Sequence, residues 1–308
     1  MKFDANRVAF GRHETFALRY SWLSKGFAAL KHNPLIFDND DAVVELGVGR
    51  NMVNSIRYWL RASQMITPQK PDEPLELGQL LFEEKSGLDP YLEDEATIWL
   101  IHWLIATNAE LATSWFWFFN KFHKPEFSAQ ELQTALHDFV KDQVVENKRP
   151  SMGTLKNDAQ LLPRMYTQSR GNTRTPLEDA LDSPLSLLGL VTQSSAGKLF
   201  QSKPQPRPNL PIGIFGFAVA QLMAQLKHTT VPLEDLMYSR HDQAAPGSVF
   251  RLTESDMIAK LERLVAYLPD KFEIRETAGI HQLYRIDDVE PVEYLRKHYG
   301  DMSTEIAA

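Results

Sequence analysis

Between residues 93 and 122 the chain carries four tryptophans, Trp99, Trp103, Trp115 and Trp117, and four phenylalanines, Phe116, Phe118, Phe119 and Phe122. Each such ring removes about 150–250 Å² from water when buried. The two helical stretches that hold them, residues 93–108 and 110–122, are therefore expected to form the centre of a core. A platform on which nucleic-acid bases stack is the competing reading of the same rings. Burial statistics favour the core.

The chain around this centre has 308 residues, which at about 100–200 residues per domain suggests two domains or three. Its 43% apolar and 24% charged residues are ordinary globular usage. Cysteine is absent, which excludes disulfides, thiolate metal sites, Fe–S clusters and cysteine nucleophiles. The net charge of −7 argues against coating nucleic acid over the whole surface and leaves room for a local basic patch. The first residues, MKFDANRVAFGRHETF, hold no apolar leader. The most apolar stretches, residues 98–105 and 210–226, are respectively too short for a bilayer and broken by Gly, Pro and Gln. A soluble cytoplasmic protein is expected.

Residues 14–32 repeat apolar side chains at three- and four-residue steps and predict a first helix, stopped by Asn33-Pro34. Residues 41–65, DAVVELGVGRNMVNSIRYWLRASQM, predict a helix-turn-helix. Gly47 supplies the turn, Leu46 and Val48 flank it, and Val53, Ile56 and Leu60 seat the second helix. Arg50, Asn51, Asn54, Arg57 and Arg61 then face outward, with donors suited to phosphates and base edges. Val43 departs from the pattern, because a smaller residue four positions before the glycine usually lets the helices approach. An ordinary helical hairpin is the alternative. Residues 65–79, with prolines at 68, 71 and 74, read as the two-stranded wing of a winged helix.

Ser128 with Glu131 predicts a capping box for a helix to about Val145. From Lys148 to Arg174 six cations face one acid, Asp158, giving either a solvated loop or a strip that contacts phosphates. Residues 198–211 read as a stiff proline-rich connector, followed by a helix over about 210–227. A helix over 253–267 with Thr253 as its cap, then an alternating hairpin over 272–286 around Ala278-Gly279, ends the pattern. The expected fold is mainly α with small β-hairpins: a winged helix-turn-helix-like domain over 1–92, a helical aromatic-rich region over 93–147, and a mainly helical domain over 148–308 whose terminal helix and hairpin resemble a second winged unit.

Five segments, FGRHETFALRYSWL, ELGVGRNMVNSIRYWLRA, DPYLEDEATIWLIHWL, GTLKNDAQLLPRMY and GIHQLYRI, together resemble a bacterial family of DNA phosphorothioation-system proteins of the SspB type. The likeness runs from about residue 9 to residue 299. It implies a DNA nickase in a modification system used against phage. The implied partners are double-stranded DNA, a cysteine desulfurase, an ATPase and an ATP-pyrophosphatase-like enzyme, with an oligomer allowed.

Phosphodiester hydrolysis needs an activated water, stabilisation of a negative transition state and a stabilised leaving oxygen. His13 as general base, Glu14 as its orienter and Arg19 as a phosphate clamp form the catalytic candidate, with Arg12 beside them on DNA; capping of a helix start is the alternative. Asp38, Asp40 and Asp41 are the candidate ligands for Mg²⁺, or a solvated cap. Asp89, Glu93 and Asp94 are a further acidic group, read foremost as a helix cap. Pro71-Asp72 with Glu83-Glu84-Lys85 matches a loose nuclease pattern, but residues 80–85 read as helix. Lys156, Arg164 and Arg170 in the basic strip are expected on DNA. Residues 47–50 lack the spacing of a nucleotide loop, so no ATP site is expected.

Overall fold

A computed structural model describes residues 1–168, 183–194, 197–226, 228–240, 242–277 and 280–307. The chain is mainly helical, with two small antiparallel sheets among the described residues. It divides into two compact units: residues 3–118 with 122–203, and residues 204–308 with 1–2 and 119–121.

The first unit contains α1 (Tyr20–His32), α2 (Asp41–Leu46), α3 (Arg50–Ala62), α4 (Glu76–Phe82), α5 (Glu95–Thr107), α6 (Thr113–Asn120, apart from its last two residues), α7 (Ala129–Gln143) and α8 (Met152–Tyr166). Every residue of α5 from Ala96 to Thr107 is buried, the mark of a helix surrounded by protein. Trp99, Trp103, Trp115, Phe116 and Phe118 are all at most 1% exposed, so these rings are core and no stacking platform. Trp115 meets Trp59 edge-on at 5.3 Å. Local chemistry sets the helix starts. Asp94 accepts the Ala96 N–H, the Ser128–Glu131 capping box forms as expected, and Ser151 accepts the Thr154 N–H. Asp89 accepts the backbone N–H groups of Glu93 and Asp94 and the Thr97 hydroxyl, which makes that acidic group a cap.

Helix α2, the left-handed Gly47 (φ 63°, ψ 35°) and α3 make the expected helix–turn–helix connection. Val43 causes no crowding because Ala42 and Leu46 are the buried positions of α2. Helix α1 closes on α3 at Gly26, where a Cβ would come 2.5 Å from Ile56 Cγ2.

Two expectations fail in this unit. Residues 14–19 are not helical: Glu14 and Thr15 are left-handed (φ 50° and 64°), and α1 begins only at Tyr20. Most of the second strand of the wing is helix α4; pairing is confined to the Ile66–Pro74 bridge, flanked by the Thr67 N–H on the Glu73 carbonyl and the Leu75 N–H on the Met65 carbonyl. The cause is packing. A Cβ at Gly78 would lie 2.6 Å from Phe27 Cε2 and closer still to the Met65 carbonyl oxygen, so α4 seats its glycine against α1 and the end of the loop. Unforeseen from the sequence is a small sheet in the order β1-β3-β2, formed by β1 (Glu126–Phe127), β2 (Thr192–Gln193) and β3 (Phe200–Gln201).

The second unit contains α9 (Ile212–Leu226), β4 (Thr230–Pro232), α10 (Leu233–Met237), α11 (Pro246–Val249), α12 (Glu254–Tyr267), β5 (Phe272–Thr277), β6 (Ile280–Arg285) and α13 (Pro291–Ala307). Thr253 caps α12, and β5 and β6 form the expected hairpin with β4 added on the far side of β6. The hairpin tip, Ala278-Gly279, lies outside the described residues. Gly216 of α9 lets Tyr294 of α13 approach, since a Cβ there would sit 2.6 Å from the Tyr294 Cε1 atom. Buried Arg251 donates to the Phe119 carbonyl at 3.0 Å, and burial pushes its guanidinium down to about 10. Among the described residues no helix is long and apolar enough to cross a membrane.

Gly78→Ala should destabilise the protein by about 1–3 kcal/mol, because added volume in a packed contact is costly even in a helix that prefers alanine. Urea unfolding measures it. Unchanged stability would mean that α4 is not seated on the Met65 carbonyl.

Candidate nucleic-acid interface

The first unit brings residues 11–15 against α8 through one buried carboxylate. Asp158, 1% exposed, accepts the Gly11 N–H at 2.9 Å, His13 Nε2 at 2.9 Å and the Ser114 hydroxyl at 2.6 Å. The Thr15 N–H donates to His13 Nδ1 at 3.0 Å. That nitrogen is then an acceptor, so the ring is the neutral tautomer with its proton on Nε2, pointing at Asp158. His13 is fully buried among Tyr58, Trp59 and Trp115. Both its nitrogens are occupied inside the protein, so the ring does not reach a substrate as the general base expected of it. Burial also pushes the Tyr58 hydroxyl well up from its ordinary range.

Above this anchor Arg12 and Glu14 are exposed, so Glu14 does not orient His13. A Cβ on Gly11 would come 2.5 Å from Thr154 Cγ2, which fixes the loop to the first turns of α8. Helix α8 points Asp158 inward and exposes Lys156 and Arg164. Part of the basic strip is thus the outer face of a helix, neither loop nor irregular strip. Arg170 lies outside the described residues.

Helix α3 divides its polar side chains in two. Arg50, Asn51 and Asn54 in its first half are exposed, and Arg50 pairs with Asp40 and donates to the Asn39 carbonyl at 3.1 Å. The second half is different. Arg61 donates from Nε at 3.1 Å and Nη2 at 2.6 Å to Asp72 Oδ1, and Arg57 bonds the other oxygen of the same carboxylate. Arg57 also reaches Asp38 at 3.0 Å. The two arginine side chains are only 14% and 21% exposed, and Asp72 only 3%. This corrects the expected outward face of five residues: the lower two are tied to the protein's own carboxylates. Asp72, matched in sequence to a nuclease pattern, is instead the anchor of the loop over 67–74. Glu83 of that pattern pairs with Lys31 at 3.0 Å.

The three acids proposed for a metal are drawn to different partners. Lys70, and after it Arg57, hold the Asp38 carboxyl below the usual carboxylate range. Asp40 goes to Arg50, and Asp41 stands exposed in the first turn of α2. Among the described residues no group of three His, Asp or Glu is placed to hold a metal ion.

A half-open cleft of about 720 Å³ lies between the start of α1 and the α2–α3 turn. Arg19 and Lys25 are the charged residues of its lining. Arg19 lies 5.3 Å from the centre of the Trp22 ring, and Lys25 donates to the Leu46 carbonyl at 2.8 Å. Arg19 thus lines a cleft that the sequence did not single out. Lys25, Ser114 and Lys70 likewise carried no local signal.

The DUF4007 family, described as a protein of unknown function, matches residues 10–299. The chain belongs to the DUF4007 family. Two solved structures match it over nearly the whole chain. One is described as "SspB crystal structure", with 28% identity and a TM-score of 0.83, covering 97% of this chain and 91% of the other. The second is described as "Magnesium ion-bound SspB crystal structure", also with 28% identity and a TM-score of 0.83, covering 96% and 89%. No curated protein matches the chain. The SspB-type resemblance seen in the five sequence segments is thus borne out in three dimensions by this DUF4007 chain.

Asp158→Ala would orphan three donors at once, two of them fully buried, and unfolding free energy should fall by about 2–5 kcal/mol. Hydrogen exchange at residues 11–15 should rise with it. If exchange there stays as slow as in the wild type, the carboxylate is not what holds the loop. Asp72→Asn should cost less, about 1–3 kcal/mol, because Arg57 and Arg61 keep some contact with water. A double-mutant cycle with Arg61→Met should show coupling between the two sites; additivity would mean that the pair is not an energetic unit.

Proposed function

We propose that the protein is the DNA-binding, strand-nicking component of a bacterial phosphorothioate modification system. The observation that carries this is the near full-length likeness to the SspB structures, at 28% identity. The system context, antiphage defence, and the partners (a cysteine desulfurase, an ATPase and an ATP-pyrophosphatase-like enzyme) come with that likeness. So does a cytoplasmic location, where the DNA is.

The first half of α3 supports the DNA contact. In helix-turn-helix proteins the amino-terminal residues of the second helix read base edges. Here Arg50, Asn51 and Asn54 are exposed at that end. Asn pairs with adenine and Arg with guanine in the major groove. Exposed Arg12, Lys156 and Arg164 are suited to backbone phosphates, which position a protein without specifying sequence.

Magnesium would supply charge neutralisation at the scissile phosphate. Asp38, Asp40 and Asp41 do not fit one ion, since the first two are spent on cations of the protein. The nicking step is therefore not routed through them, nor through buried His13. Those same facts favour a second reading, a DNA-binding adaptor that positions partner enzymes and cuts nothing.

One plasmid experiment separates the two. Supercoiled DNA with protein and Mg²⁺ should yield the open-circular form, and EDTA should stop it. Binding with no change of topology would establish the adaptor instead. In either case Asn51→Ala with Asn54→Ala should weaken duplex binding by about 1–3 kcal/mol per lost base contact. Arg50→Glu should reduce it further and flatten the salt dependence. Affinity unchanged in all three would remove α3 as the DNA-reading element.

A further inference from the structure

We propose that neutral His13 is the positioning residue for Arg12, and that a proton taken up by its ring unlatches the turn over 13–16 and so weakens the phosphate contact of Arg12. The latch consists of two bonds. The Thr15 N–H donates to His13 Nδ1 at 3.0 Å, and the Phe16 N–H donates to the His13 carbonyl at 2.9 Å. Between them Glu14 and Thr15 sit in the left-handed region, at φ 50° and 64°, which non-glycine residues hold only under constraint. The other ring nitrogen is the anchor, since Nε2 donates to Asp158 at 2.9 Å. A proton added to this ring goes to Nδ1, because Nε2 already carries one. Nδ1 then becomes a donor and faces a second donor, the Thr15 N–H. That bond is lost, while the bond from Nε2 to Asp158 becomes charge-assisted and strengthens. The anchor holds and the turn above it opens.

The surroundings confine the response to this one contact. The elements packed on the ring bring Tyr58 and Trp59 from α3, Trp115 from α6 and Asp158 from α8. The Tyr58 hydroxyl donates to the Leu111 carbonyl at 3.1 Å; burial, then the charge of Asp158, pushes it well up from its ordinary range, so it stays neutral. Arg12 acts on the same hydroxyl in the opposite sense, which puts its guanidinium beside this cluster. The groups in contact with the ring thus bring one charge, that of Asp158. The Gly11 N–H and the Ser114 hydroxyl on the same carboxylate keep it in place when the turn opens. Histidine ordinarily titrates between about pH 5 and pH 8, where exposed carboxylates and lysines keep their charges. The open turn accepts the proton and the latched turn does not, so acid favours the open form by up to about tenfold per pH unit.

The consequence for Arg12 rests on the DNA reading given above; the latch does not. The test follows amide hydrogen exchange of the full chain from about pH 8 to about pH 5.5, corrected for the chemical exchange rate. Opening at residues 14–16 should rise as the pH falls, with the slope of one proton, no more than about tenfold per pH unit, while α5 stays protected. Two variants separate the bonds of the ring. His13→Gln keeps an amide donor for Asp158 and offers Thr15 no acceptor, so its turn should be open at every pH. His13→Asn keeps an amide oxygen near the place of Nδ1 and should stay latched at every pH. Where either variant loses the protection of α5, the wild-type profile decides by itself. Exchange at residues 14–16 that is flat with pH in the wild type, or a slope that survives in folded His13→Gln, overturns the proposal. On duplex DNA, Arg12→Ala should cost at least about threefold more affinity at the upper pH than at the lower, as expected of a phosphate contact present only while the turn is latched. An equal cost at both overturns the positioning role of His13. Absence of duplex binding at every pH would instead sink the DNA reading, and the exchange profile, measured without DNA, would still decide the latch.

Discussion

The carboxylate of Asp158 is the interaction on which the arrangement of the first unit depends. Three donors from two distant stretches converge on its two oxygens, from residues 11 and 13 and from residue 114. A buried acceptor-only group is tolerated when its lone pairs are filled in this way. The cost of emptying any of them is what makes the contact decisive. Because His13 must turn inward to serve it, the backbone at Glu14 and Thr15 is driven into the left-handed region. For a β-branched residue such as Thr15 that conformation is strained and persists only where the surroundings over-determine it. The consequence on the outer side is that Arg12 and Glu14 are carried on a short, braced loop beside the basic face of α8.

Charge on α3 follows a second constraint. Its outward face over five residues would ordinarily be read as one surface, and the structure splits it. Asp72 takes both Arg57 and Arg61, so the lower half of the face is part of the fold: it fastens the loop after α3 to the helix. Surface ion pairs contribute little on their own, but a carboxylate that is 3% exposed and bonded to two guanidinium groups is of a different kind. What α3 leaves for a partner is its first turn and a half. That is also the portion of a recognition helix that enters a groove first.

The sequence was most legible where one local rule decides the outcome. Ser128 with Glu131, Thr253 before α12, Gly47 between α2 and α3, and the alternation over 272–286 each announce their structure within a few residues. Legibility failed where a distant contact overrides the local signal. Residues 14–19 carry helical periodicity, yet a bond to a residue 145 positions away unwinds them. Residues 75–78 look like a strand after a proline turn, yet Gly78 fits a helix onto the Met65 carbonyl. In α8 the run of cations and Pro163 masked a helix whose Ser151 cap was readable in retrospect. The site suffered most. In the sequence Asp72 reads as part of a loose nuclease pattern and Asp158 as the lone acid of a basic strip, yet it is they that decide which arginines and which histidine remain available.

The start of α3 shows how one helix serves three surroundings at once. With 3.6 residues per turn, Val53 and Leu60 face the core, Asn51 and Asn54 face solvent, and Met52 and Ile56 face the cleft. Gly49 and Arg50 stand where these faces meet. Arg50 is held there by Asp40 and the Asn39 carbonyl, and Ile56 on the inner side closes on Gly26 of α1, so the exposed first turns of α3 are braced from both directions.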